Sequence, residues 1–235
     1  MFSRKLFVIF ILMGGLMGLG AVGFSFFNQL GCEGQFVNVN FSPAPEQEIF
    51  GERVIGQSFV APYDRLNRID LLLQTYGRRN THEVTLYLLD ISDTPDTPLQ
   101  GRDLFSTGLN AGDVSDGSWR SFVIPEITDS ANKHFFILLT SPTSEPGDAI
   151  TIGGIDKDAY PAGSTFLGPV AVPADIAFRA CFQMSSLEKL QTLSDQLTQN
   201  RPSVWSESTF YLLIFIVYGI LLGTLLVGLT RFVLR

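Results

Sequence analysis

Residues 57–90 read QSFVAPYDRLNRIDLLLQTYGRRNTHEVTLYLLD. Two runs inside this stretch decide the fold. The first, Arg68-Ile69-Asp70-Leu71-Leu72-Leu73-Gln74-Thr75-Tyr76, is short and largely apolar and stops at Gly77. The second, Glu83-Val84-Thr85-Leu86-Tyr87-Leu88, alternates. Val84, Leu86 and Leu88 fall on one face, Thr85 and Tyr87 on the other. A period of two bounded by turn residues marks a half-buried strand. Between the runs, Gly77-Arg78-Arg79-Asn80 supplies turn chemistry and two charges that favour water. A pair of strands does not stand alone and needs a facing sheet.

The chain around this stretch supplies the other strands. An irregular apolar stretch, 35–45, reads as a first edge strand, and 55–61 as the next. Residues 91–100, ISDTPDTPLQ, form a loop. Strands are expected at 103–110, 118–125, 134–141, 149–152 and 176–182. In 118–125, Trp119, Ser121 and Val123 share one face. The run 134–141 is nearly all apolar and reads as central. About nine strands at a spacing of roughly 8–15 residues point to an all-β sandwich or barrel, not to βαβ units.

At both chain ends the pattern changes. Residues 6–30 carry no charge, more than the roughly 20 residues a helix needs to cross a bilayer. Ala21-Val22-Gly23 also fits a cleavable signal and Gly31-Cys32 a lipoprotein signal. The length of the stretch favours a retained anchor. Residues 208–230 are a second uncharged stretch. Between it and the sandwich, Ser185-Ser186-Leu187-Glu188 fits a capping box, and Leu187, Leu190, Leu193 and Leu197 recur at helical spacing. The expected organisation is a cytoplasmic start (1–5), a first span (6–30), a sandwich (31–184), an amphipathic helix (185–201), a second span (208–230) and a cytoplasmic end (231–235).

Charge orients this arrangement. Arg4, Lys5, Arg231 and Arg235 flank the spans, so the positive-inside rule puts both termini in the cytoplasm and the main domain outside. The middle region keeps 12 basic against 23 acidic groups, a formal charge of −11. Such a surface repels nucleic acid. Gly14 and Gly18 form a G-x-x-x-G strip in the first span, and Gly219 and Gly223 another in the second. Each strip lies roughly 15 Å from the cytoplasmic edge at ~1.5 Å per residue, so the two are expected to pack against each other. Cys32 and Cys181 bracket the sandwich. Outside the cytoplasm such a pair is expected to form a disulfide, two free thiols being the alternative.

No catalytic constellation stands out. His82 and His134 are not spaced as a metal pair, and no G-x-S-x-G, Walker or H-E-x-x-H pattern occurs. Asp90, Asp93 and Asp96 form a D-x-x-D-x-x-D loop whose oxygens could hold calcium, no other cofactor being expected. Tyr63, Tyr76, Trp119 and Tyr160 could provide a stacking platform for sugar rings. Trp119 and Tyr76 could equally fill the sandwich, so Tyr63 and Tyr160, which lie in loops, are the better ligand candidates. Arg78, Arg79 and Asn80 could hydrogen-bond hydroxyls or carboxylates, or simply sit in a solvated turn.

Three segments together carry a resemblance: 57–90 quoted above, 121–152 (SFVIPEITDSANKHFFILLTSPTSEPGDAITI) and 159–182 (AYPAGSTFLGPVAVPADIAFRACF). They resemble the jelly-roll, galactose-binding-like modules of bacterial cell-surface and polysaccharide-related membrane proteins, over roughly residues 46–183. The family often has paired glycines where this chain has Ala162-Gly163, and a further turn at Gly168-Pro169-Val170. The resemblance implies a jelly-roll ectodomain, often with a structural calcium. It also implies a non-enzymatic binding role on a bacterial cytoplasmic membrane, with glycan as the ligand class. The pair of spans and the leucine stripe point to an alternative, an accessory subunit that docks or caps a membrane-protein complex.

Overall fold

The computed structural model describes residues 14, 15, 17, 18, 21, 23, 31–34, 48–198 and 208–234. The expected edge strand at 35–45 lies outside them. The chain forms two compact units, residues 32–183, and residues 1–31 together with 184–235.

The first unit is predominantly β. Its strands are β1 (Cys32–Glu33), β2 (Ile55–Val60), β3 (Leu66–Gln74), β4 (Glu83–Asp90), β5 (Arg102–Asn110), β6 (Ser118–Ile127), β7 (His134–Thr140), β8 (Thr151–Ile152), β9 (Gly154–Ile155), β10 (Thr165–Leu167), β11 (Val170–Val172), β12 (Asp175–Ile176) and β13 (Phe178–Phe182). One sheet runs β1-β13-β3-β6, with β8 also beside β3. The other runs β11-β10-β2-β7-β4-β5. A small sheet pairs β9 with β12. The two large sheets face each other in a sandwich-like arrangement.

Alternation places the core. Ile69, Leu71 and Leu73 of β3 and Phe178 and Ala180 of β13 are buried, as are Phe59 of β2, Leu86 and Leu88 of β4 and Phe135 and Ile137 of β7. The Phe59 ring lies 5.6 Å from that of Phe135 in its own sheet and 5.5 Å from that of Phe178 in the other. Phe59 therefore joins the two layers through ring contacts of the favoured tilted kind.

The register also fixes the two ends. β3 pairs antiparallel with β13, Leu66 opposite Phe182, and β13 pairs with β1, Cys32 opposite Cys181. Cys32 and Gln183, the first and last residues of the unit, are thus at the end where β3 begins. The Gln183 amide donates to the Arg65 carbonyl there, at 2.9 Å. Loops 61–65, 91–101 and 128–133 share this end. Loops 75–82, 111–117 and 141–150 form the opposite one.

Several expectations need correction. The strand expected at 176–182 is broken at Ala177, whose amide leaves the ladder to donate to the Gly153 carbonyl at 2.7 Å. That expected at 149–152 shrinks to Thr151–Ile152. The hairpin β10–β11 lacks the length and alternation that mark a strand in sequence. Gly168, at φ +61°, and Pro169 make its two-residue turn, the primed geometry that suits a twisted hairpin. Tyr76 is exposed and does not fill the core. Trp119 faces outward with Ser121 and Val123, because Phe122 and Ile124 take the inward positions of β6.

The disulfide is present, joining Cys32 to Cys181 with a Cα separation of 4.0 Å.

In the other unit the described residues include the helices α1 (Ser186–Thr198) and α2 (Ser208–Leu234). The expected capping box opens α1. Ser185 Oγ accepts from the Glu188 amide at 3.3 Å, and Glu188 Oε2 accepts from the Ser185 amide at 2.6 Å. Leu187 and Leu190 stay exposed. Among the described residues no helix is long and apolar enough to cross a membrane. Several side chains of α2, Tyr211 and Leu212 among them, lie outside that set, and the two expected spans have no support among the described residues. A Cβ placed on Gly14, Gly18, Gly219 or Gly223 would meet no described atom within 4 Å. The expected packing of the two glycine strips therefore has no contact behind it among the described residues.

Candidate functional site

The end opposite Cys32 and Gln183 gathers three of the expected ligand residues on one loop, 75–82. The loop begins as a tight turn in which the Arg78 amide donates to the Thr75 carbonyl at 3.0 Å. Its central residues, Tyr76 at φ +53° and Gly77 at φ +70°, are both left-handed. Two successive positive φ angles make a type I′ turn, which favours Asn or Gly at both places. Tyrosine at the first of them is strained.

Asp116 holds the strained turn. Its Oδ1 accepts from the Thr75 amide at 2.7 Å and the Tyr76 amide at 2.8 Å. These two bonds favour the charged form and hold the carboxyl below its ordinary value of 3.8. A depressed folded-state value means the contribution is present above pH 3.8 and is lost as pH falls through the lower folded value. Acid should therefore loosen this turn before the sheets. Amide exchange at Thr75 and Tyr76 is expected to accelerate below that pH. In Asp116→Asn the acid step should be absent, and an unchanged step would contradict the clamp.

Arg78 is the second clamp. It pairs with Glu48, donates from Nη2 to Thr151 Oγ1 at 3.2 Å and from Nε to the Thr75 carbonyl at 3.0 Å. Its guanidinium carbon lies 5.6 Å from the Tyr76 ring centre. Arg79 next to it is exposed and has no ion-pair or hydrogen-bond partner among the described residues. Asn80 is 2% exposed, and neither Oδ1 nor Nδ2 has a hydrogen-bond partner among the described residues. At the far end of the loop His82 Nε2 lies 2.8 Å from Asp148 Oδ2.

The other expected residues lie elsewhere. Tyr63 is at the end where the chain leaves the sandwich, its ring edge-on to Phe182 at 5.5 Å. Tyr160 is half-buried, edge-on to Phe178 at 5.3 Å, and its hydroxyl donates to the Val60 carbonyl at 3.5 Å. Burial pushes that phenol up. The backbone beside it is tied to buried Asp175, which accepts from the Ala159 and Tyr160 amides at 2.6 and 2.8 Å and from Gln57 Nε2 at 3.0 Å. Tyr160 thus helps to secure a loop.

The calcium expectation is also corrected. Among the described residues no three His, Cys, Asp or Glu side chains are placed to hold a metal. Asp93 and Asp96 do not converge on Asp90. Asp90 instead accepts from the Ser92 amide at 3.1 Å and from Arg102 Nη2 at 2.8 Å. Burial pushes its carboxyl up, but these hydrogen bonds outweigh burial and hold it low.

Sequence reasoning ranked Tyr76 below Tyr63 and Tyr160, and missed Asp116, Glu48 and Thr151 as parts of the loop cluster. The Tyr-Gly pair of a primed turn was a usable signal for Tyr76. The other three come from distant strands and loops, and only the fold brings them to the turn.

No family profile matches the sequence, and no curated protein matches it. Among solved structures, the cysteine protease and lectin-like domains of Cwp84, a surface layer associated protein of Clostridium difficile, are similar with a TM-score of 0.33 and 11% identity. The match covers 56% of this chain and 32% of that one, so this chain spans about a third of its neighbour's length.

Proposed function

We propose that this chain is a non-enzymatic binding module, anchored in a bacterial cytoplasmic membrane, whose 75–82 loop takes a glycan. One observation carries the reading. Tyr76 sits exposed and left-handed at a loop tip, clamped by Asp116, and Arg79 of the same loop is exposed with no partner among the described residues. Such strain costs about 1–3 kcal/mol and does nothing for the core, which is the pattern of a functional site. An aromatic face and a planar fork of donors suit the apolar ring faces and hydroxyls of a sugar.

The rest of the chain is consistent with display. The loop is at the end away from Cys32 and Gln183, where the sandwich connects to the uncharged stretches 6–30 and 208–230. Those stretches serve as the two membrane spans, with the basic residues outside them on the cytoplasmic side. Most connections between the long strands change sheet, which supports the jelly-roll, galactose-binding-like assignment.

The test is a glycan array followed by calorimetry on the full chain in lipid nanodiscs. Tyr76→Ala and Arg79→Ala are each expected to weaken binding about tenfold, ~1.4 kcal/mol, without lowering the thermal midpoint. A chain that binds no saccharide, or one indifferent to both changes, would remove the reading.

Exposed Leu187 and Leu190 favour a second reading, an accessory subunit held to a membrane complex through α1. Migration solely at the monomer mass in native electrophoresis after mild-detergent extraction would count against it.

A further inference from the structure

β6 is an edge strand. It is 10 residues long, and among the described residues it pairs with β3 alone. The amides and carbonyls along its other side therefore have no ladder among those residues. Its side chains are open too. Val123 is 76% exposed, and Arg120, Ser121, Pro125 and Glu126 are exposed as well. Phe122 and Ile124 are the buried residues of the strand. A long open edge is a template for another strand, and proteins blunt such edges with prolines, bulges and charges. In β6 the blunting is partial. Pro125 withholds one donor, and the register with β3 shifts beside it, between Leu66 and Arg68.

Arg120 and Glu126 are the charged residues of the strand. Neither has an ion pair or hydrogen bond among the described residues. They stand at equal distances on either side of Val123. An antiparallel copy of β6 centred on Val123 therefore brings them together. Arg120 faces the second copy's Glu126, and Glu126 faces the second copy's Arg120. Both lie on the face that carries Phe122 and Ile124, since residues two apart share a face. On the other face Val123 meets itself and Trp119 meets Ile127, apolar pairs of the kind that stabilise a sheet. The neighbouring charges are engaged within the chain. Arg68 pairs with Asp70, and Arg179 lies over Trp119. Past the strand ends, Asp116 falls nearest the second copy's Asp129, whose charge its own Lys133 offsets.

We propose that β6 is the edge on which a second copy of this chain docks, strand antiparallel to strand, with Val123 on the two-fold axis. The ladder continues the sheet β1-β13-β3-β6 from one copy into the other. Two-fold symmetry makes every contact twice, so the Arg120–Glu126 pair counts double. One edge ladder buries less than the roughly 800 Å² per partner of a standard interface, so the dimer is expected to be weak and concentration-dependent. Glycan binding is not required for it.

The experiment is sedimentation of the full chain in mild detergent across a range of protein concentrations. The parent is expected to pass from monomer to dimer. Arg120→Glu should weaken dimerisation about tenfold, because it sets like charges opposite each other twice. Adding Glu126→Arg to it restores opposite signs and should return the affinity to that of the parent. Both residues are exposed, so the thermal midpoint should not move in either variant. Val123→Cys should cross-link two chains under oxidation. Val170→Cys, exposed on β11 at an edge of the other sheet, should not. A parent that stays monomeric overturns the proposal, even if another protein's strand covers β6. A dimer indifferent to Arg120→Glu, or one that the charge swap fails to restore, is held elsewhere and overturns it as well.

Discussion

Replacing Cys32 and Cys181 by alanine is expected to lower the unfolding free energy by about 5 kcal/mol, from the chain-entropy model for a loop of this size. The bond spans 149 residues, nearly the whole sandwich, so it removes much freedom from the unfolded chain. Its local role adds to this. Among the described residues β1 has two and pairs with β13 alone. A ladder so short does not hold itself without the covalent link. Arg68 Nη2, 3.1 Å from Cys181 Sγ and 3.5 Å from Cys32 Sγ, would lose both contacts. The check is guanidinium unfolding of the full chain, followed by a probe in the sandwich, with hydrogen exchange across β1 and β13. A loss under ~1 kcal/mol would show that the bond is peripheral to stability.

Gly56→Ala is expected to cost about 3 kcal/mol, the upper part of the range for overpacking. Gly56 lies in β2, between Leu138 of β7 and Phe166 of β10. A Cβ there would come 2.2 Å from Phe136 Cζ and 2.6 Å from the Ile137 carbonyl oxygen. Neither neighbour can yield. Phe136 is fully buried with Phe166 edge-on at 5.5 Å, and the Ile137 carbonyl belongs to a central strand. Gly163 offers a comparison, because a Cβ there would come 1.9 Å from the Ser58 carbonyl oxygen. Ser164 beside Gly163 is held by Ser58 at both its amide and its carbonyl, so Gly163→Ala should cost a similar amount, about 3 kcal/mol. Denaturant midpoints of the two variants, measured beside the parent, test both. A Gly56→Ala protein as stable as the parent would mean that β2 can move away from β7.

The β character of the middle region and most of its long strands were legible in the sequence. Val84, Leu86 and Leu88 recur at a period of two, and that period reports directly which residues leave water. The capping box at Ser185 and Glu188 was legible for the same reason, since its contacts lie within one turn of chain. The disulfide followed from having two cysteines and an expected address outside the cytoplasm. The three-residue strands 165–167 and 170–172 were not legible, because so few residues show no period. Nor was the inward turn of Phe122 over Trp119. Both residues are large and apolar, and only pairing with β3 decides which of them meets the core.

The candidate site divides along the same line. Sequence alone marked Arg78, Arg79 and Asn80, since turn residues and charges betray an exposed loop. It also marked Asp90, Asp93 and Asp96, which the fold does not gather. Tyr63 and Tyr160 looked equivalent to Tyr76, or better placed. The fold reversed that order, because Tyr63 and Tyr160 are half-buried and edge-on to Phe182 and Phe178, while Asp116, 40 residues beyond Tyr76, holds the third out in a left-handed turn. Local chemistry is written in neighbouring residues and can be read from them. Which side chain is left facing water depends on partners far away in the chain, and only the folded sheets bring those partners together.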